Sequence, residues 1–331
     1  MKDKPLFLDF FKFIIRPTYL DKKQNKHFLL KIWNTLRLWA LGLILALFFG
    51  FITEKLMRLV NYDVTDHAIV NLLQQQSVLL VLFLAVILAP IIEELTFRMI
   101  YRYSPFRLSF SIVFVFLTIF ELIISSLKLN IFEKFNALLG LNDYLQILGP
   151  YLILFKAGIF LIMIVGFGLA LGFIIKFYID QNKIISFFKK YFFVLFYAFI
   201  IFFGLMHLVN FSNILKYWYL APVFIIPQLV IALFLGYARI KYGLIYSIML
   251  HAVYNGVTLL PFFLFSNILE QEFIEKLLMG GDLEEFQISQ VINYDKLAIG
   301  LVIIGVMLLF VLIFIMAVLH YILELFFYSK R

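Results

Sequence analysis

The chain has no cysteine among its 331 residues. That excludes disulfides, a thiolate nucleophile and any cysteine metal cage, though it says little about compartment. Charge is scarce as well. Asp, Glu, Lys and Arg make up 15% of the residues, against about 25% in an average soluble domain. Apolar residues reach 64% and the mean hydropathy is +1.01, so a water-soluble fold could not cover itself with so little polar surface. What is present instead is a series of apolar runs, several longer than the roughly 18 residues that mark a spanning helix. The formal charge of +8 is not a nucleic-acid signature. Lysines and arginines cluster between the apolar runs and at both ends, as the positive-inside rule produces, rather than on one basic face.

The fold class expected is all-α, a polytopic membrane helix bundle whose partner is the lipid bilayer. Eight spans can be drawn, near 33–52, 76–101, 108–126, 147–179, 191–208, 217–237, 243–265 and 297–327. The loop with Arg98, Arg102 and Arg107, the segment Lys176–Lys190, the pair Arg239 and Lys241, and the ends of the chain are basic. Loops 53–75 and 127–146 are balanced, and 266–296 holds seven acids against two lysines. That alternation predicts eight spans with both termini cytoplasmic, in the cell membrane (inner or plasma). Residues 1–32 form a basic cytoplasmic segment, read as an interfacial helix or a basic tail, and residues 33–328 form a single membrane domain. The run Val165–Gly172 resembles a dinucleotide loop only superficially, because it lacks the strand–turn–helix context. Gly168 and Gly172 are expected to let a neighbouring helix pack closely.

An ionisable side chain in hydrocarbon costs roughly 2.5–3.5 kcal/mol even on lenient scales, so polar residues within spans need a reason. Glu93-Glu94, His207, His251 and Asn255 stand out. His251 and Asn255, four apart, share one helix face, as do Glu94 and Arg98, which can pair and leave Glu93 turned elsewhere. If the second span continues to Arg102, Glu93 lies about 13 Å from its cytoplasmic end. Three helices can then present one Glu, two His and one Asn to a single cavity. Such a set suits hydrolysis: a carboxylate as general base toward water with a histidine beside it, and a second His and an Asn as donors to the developing oxyanion. Each piece also has a plainer reading. The acidic pair suits the first turn after Pro90, His207 suits a structural hydrogen bond, and His251 with Asn255 suits interhelical polar contacts.

Glu93-Glu94-Leu95-Thr96-Phe97-Arg98 has the form E-E-x-x-x-R, Phe203 to His207 the form F-x-x-x-H, and His251 to Asn255 the form H-x-x-x-N. In this order they resemble the CPBP family of intramembrane proteases, the CAAX prenyl protease and bacteriocin-processing group also called Abi proteins. The resemblance implies an all-helical membrane endopeptidase acting on a membrane-associated peptide or protein. It makes Glu93 the water-activating residue, His207 its partner, and His251 and Asn255 the oxyanion site, with Glu94, Arg98 and Phe203 in support. It implies no cofactor. This chain departs from the pattern in spacing, since Glu93 and His207 are 114 residues apart, and two additional spans at 108–179 account for the length. Depth raises a second difficulty: counted from Lys190, His207 lies about 25 Å deep. Three other functions stay open. They are a zinc site on Glu93, His207 and His251, a non-proteolytic scaffold or immunity factor, and a proton-coupled transporter.

Overall fold

The computed structural model describes residues 5–20, 27–59, 78–126, 151–210, 218–268 and 297–329. The starts of three expected spans (76–77, 147–150 and 217), most of the three non-basic loops and the C-terminal Lys330-Arg331 lie outside the described residues. All regular structure among those residues is helical. In hydrocarbon no water satisfies the backbone, and a helix satisfies it internally. Helices α1 (Leu6–Ile15) and α2 (Phe28–Leu59) come first. They are followed by α3 (Val78–Leu82), a π-turn (Phe83–Leu88) and α4 (Ala89–Phe97). After these come α5 (Pro105–Ser126), α6 (Tyr151–Tyr178), α7 (Gln181–Met206), α8 (Ala221–Phe224), α9 (Ile226–Lys241), α10 (Leu244–Ile268) and α11 (Leu297–Ser329).

Five described helices are long and apolar enough to cross a membrane: Phe28–Leu59, Leu80–Phe97, Gln181–Asn210, Leu244–Pro261 and Ala298–Tyr328. A sixth follows if Trp218–Phe224 and Ile226–Lys241, bent by 43°, form one span. Pro227 explains that bend, because it lacks the N–H of a continuing helix and its ring crowds the preceding turn. The chain is therefore a helical membrane protein. Two compact units divide it, one of residues 1–17, 22–91 and 200–331 and the other of 18–21 and 92–199.

In the first unit, α2 packs against α9, α10 and α11. Lipid tails are as apolar as leucine, so close packing and polar contacts, not water exclusion, hold such helices together. Gly42 shows how. A Cβ there would collide with the Tyr254 hydroxyl and the Phe234 ring. Without one, that hydroxyl donates to the carbonyls of Leu38 and Trp39 at 3.3 Å each. The α1 helix buries Leu6, Phe10 and Phe13 against protein, with Phe10 stacked on Phe234 at 4.1 Å. Its Asp9 accepts from Tyr237 and pairs with Lys241, both at 2.7 Å. The apolar face that the sequence offered to the lipid interface is thus covered by α9. At the same end, Arg37 pairs with Glu324, which also accepts the Leu6 backbone N–H at 3.2 Å.

Helices α9 and α10 are joined by the shortest of turns. Tyr242 and Gly243 both donate to the Ala238 carbonyl, and Gly243 takes φ 118°, a conformation that a side chain would resist. The hairpin that follows is antiparallel, with the Ser247 hydroxyl on the Leu235 carbonyl at 2.9 Å.

In the second unit, α5 and α6 pack along the glycines of the Val165–Gly172 run. Gly168 leaves room for the Phe110 ring and Gly172 for Phe106, and the Ser109 hydroxyl donates to the Gly168 carbonyl at 2.7 Å. Tyr101, in the 3-10 turn after α4, donates to the Phe196 carbonyl at 3.0 Å. Its ring sits against Phe192, Phe196 and Phe199. The chain leaving α4 therefore meets α7 fifteen residues after Gln181.

Candidate functional site

The region around Asn255 is built by Pro90. In the π-turn the backbone bonds reach five residues, and the Ala89 N–H bonds the Leu84 carbonyl. The Ala85 carbonyl would turn next to residue 90, but proline has no N–H to give. An orphaned carbonyl in a spanning segment costs several kcal/mol on the order of the usual penalty, and a side chain supplies the missing donor. Asn255 Nδ2 donates to the Ala85 carbonyl at 2.8 Å. At the next residue, Gly256 lies against Val86. One amide hydrogen of Asn255 is thereby committed to structure, and the second remains for other chemistry.

The two histidines meet on one ring. Phe203, 1% exposed, lies 4.4 Å from the His207 ring and 5.8 Å from the His251 ring, centroid to centroid. His207 begins the 3-10 turn that ends α7, and its Nδ1 lies 2.8 Å from the Phe203 carbonyl. A carbonyl only accepts, so Nδ1 carries the proton, and in the neutral ring Nε2 keeps the lone pair. The F-x-x-x-H spacing thus fixes both the tautomer and the tilt of His207 through a single residue. His251, 3% exposed, comes from α10, one turn before Asn255.

Glu93, Glu94 and Arg98 belong to the second unit. Glu94 and Arg98 form an ion pair at 3.2 Å with both side chains fully enclosed, while Glu93 is half-buried. The α-helix ends at Phe97 rather than at Arg102, so Glu93 lies one turn, about 6 Å, from its end. Phe203, His207, His251 and Asn255 belong to the first unit. The structure brings Phe203, His207 and His251 together, ties Asn255 to the π-turn, and pairs Glu94 with Arg98. Among the described residues, no three His, Asp or Glu side chains gather into a group able to hold a metal ion.

Two participants escaped the sequence reading. The Ala85 carbonyl could have been found from Pro90 lying five residues beyond it in an apolar span. Gln228 could have been found as the one amide within the apolar stretch 221–236. Comparison with protein-family models, with curated proteins and with solved structures finds no match for this chain.

Proposed function

We propose that the chain is an intramembrane endopeptidase that hydrolyses a peptide bond of a membrane-associated peptide or protein. Glu93 takes a proton from water while His207, through the lone pair on Nε2, orients that water. The water oxygen attacks the scissile carbonyl carbon, and the oxyanion draws hydrogen bonds from His251 and the uncommitted N–H of Asn255. The C–N bond then breaks, and the proton held by Glu93 passes to the leaving amine. The observation that carries this reading is the Phe203 ring with a histidine from each of two helices against it, one of them locked in a single tautomer. The resemblance to CPBP proteases supports the same roles. The reading keeps eight spans with cytoplasmic termini in the cell membrane, of which five described helices, or six with the bent pair, have the length and apolarity to cross.

Cleavage of a single-span peptide reporter in proteoliposomes tests this. The wild type is expected to cut it and Glu93→Gln to lose the activity, with both unaffected by chelators. Equal rates for wild type and variant would remove the proposed base. A non-proteolytic scaffold or immunity factor of the same fold is favoured by one observation, the structural commitment of Asn255 to Ala85. Under that reading Glu93→Gln and His207→Ala leave the cellular phenotype intact.

A further inference from the structure

Gln228 carries a buried side-chain oxygen, Oε1, that has no hydrogen-bond partner. Buried polar atoms are almost always satisfied, so one that is not calls for a reason. Its surroundings supply one. Leu235 lies seven residues further along α9, two turns on and therefore on the same face. The Ser247 hydroxyl donates to the Leu235 carbonyl, so this face of α9 is turned toward α10. The neighbouring face, with Ile225 and Leu229, lies against Gly204 of α7. By helical periodicity Gln228 lies on the arc of α9 between these two faces, on the side of the helices α7 and α10 that carry Phe203, His251 and Asn255 and lead into His207. Its level agrees. In the antiparallel hairpin, seven residues back from Leu235 correspond to seven or eight forward from Ser247, at Tyr254 and Asn255. On α7 the same level is that of Gly204, one turn from His207.

We propose that Gln228 is a peptide-binding residue of this site, its Oε1 accepting a hydrogen bond from a main-chain N–H of the bound substrate. The inference rests on the endopeptidase reading and adds to it what the substrate presents: a stretch of extended backbone with an unpaired N–H, rather than a helix whose N–H groups are already taken. An unpaired acceptor is unfavourable in the empty protein and becomes satisfied when the peptide arrives. A purely structural glutamine has the opposite signature, being satisfied before any ligand binds.

The full chain in lipid nanodiscs tests this by fluorescence anisotropy. The probe is a fluorescein-labelled, acetylated peptide of alternating alanine and leucine, with a series of copies each N-methylated at one backbone nitrogen. Gln228→Leu is expected to bind the parent peptide about tenfold more weakly, the worth of one hydrogen bond. Its melting temperature should equal or exceed that of the wild type, since an unsatisfied buried acceptor has been removed. One N-methylated copy should bind the wild type about tenfold more weakly and bind Gln228→Leu no more weakly than the parent does. No binding by the wild type, equal binding by Gln228→Leu, or a lower melting temperature for Gln228→Leu overturns the proposal. Binding that follows this pattern without cleavage of the peptide by the wild type supports the role of Gln228 and sinks the endopeptidase reading instead.

Discussion

Two ion pairs, one in each compact unit, use the same chemistry to different ends. Arg37 of α2 pairs with Glu324 of α11, 287 residues apart, and Glu324 also accepts the backbone N–H of Leu6 at the start of α1. That pair joins three helices, and its carboxylate keeps 26% of its surface exposed. Glu94 and Arg98 are four residues apart in one stretch of chain, both fully enclosed. Their 3.2 Å contact spans a single helical turn. Enclosing two charges costs several kcal/mol per ion by the usual order of magnitude, and their attraction often does no more than offset it. A fully enclosed pair within one helical turn bears that cost, and on the endopeptidase reading its role is position rather than stability. On that reading it holds the turn that bears Glu93 at a fixed rotation.

The largest effect expected lies outside both pairs. Glu93→Gln leaves each of them intact, and cleavage of the membrane reporter should fall about 10²–10⁴-fold, the range of general-base contributions, with an unchanged melting temperature. Next comes the enclosed pair. Arg98→Met strands a buried carboxylate and should cost about 3–5 kcal/mol. The double variant Glu94→Leu/Arg98→Met should recover wild-type stability in thermal unfolding while cleavage stays lost. Recovery of both would show that the pair positions nothing. Asn255→Ala should cost about 1–3 kcal/mol by leaving the Ala85 carbonyl unsatisfied, and lower cleavage as well. The smallest effect belongs to the inter-helix pair. Glu324→Gln keeps an acceptor for Leu6 and should lower stability by only about 1 kcal/mol, with cleavage near the wild-type rate. A loss of cleavage there as large as for the enclosed pair would erase the contrast between the two.

Much of the fold could be read directly from the residues. The scarcity of charge required a membrane, the apolar runs gave the helices, and Gly168 and Gly172 marked a close helix contact because only a missing Cβ admits the rings of Phe110 and Phe106. The i, i+4 spacing that lets Glu94 reach Arg98 is likewise a property of any helix. Other features are tertiary and left no local signature. Periodicity does not reveal that α1 turns its apolar face to α9, because a helix that docks on protein and one that lies on lipid have the same pattern. The end of the α-helix at Phe97 was hidden as well, since Met99, Ile100 and Tyr101 continue the apolar run through a tighter turn. The Tyr101 contact at Phe196 was likewise hidden, because it joins residues 95 apart in sequence. The link between Asn255 and Ala85 depends on a π-turn, which is decided by how Pro90 is accommodated rather than by the residues of the turn.

The central claim is that Glu93 and His207 act on one water molecule. The chain has no cysteine, so a Glu93→Cys/His207→Cys double variant carries the only two thiols. In native membranes these should be joined rapidly and nearly completely by a short thiol-to-thiol cross-linker, and each single variant should give no intramolecular product. Failure of the double variant to cross-link, with both thiols shown to be reactive, would contradict the claim.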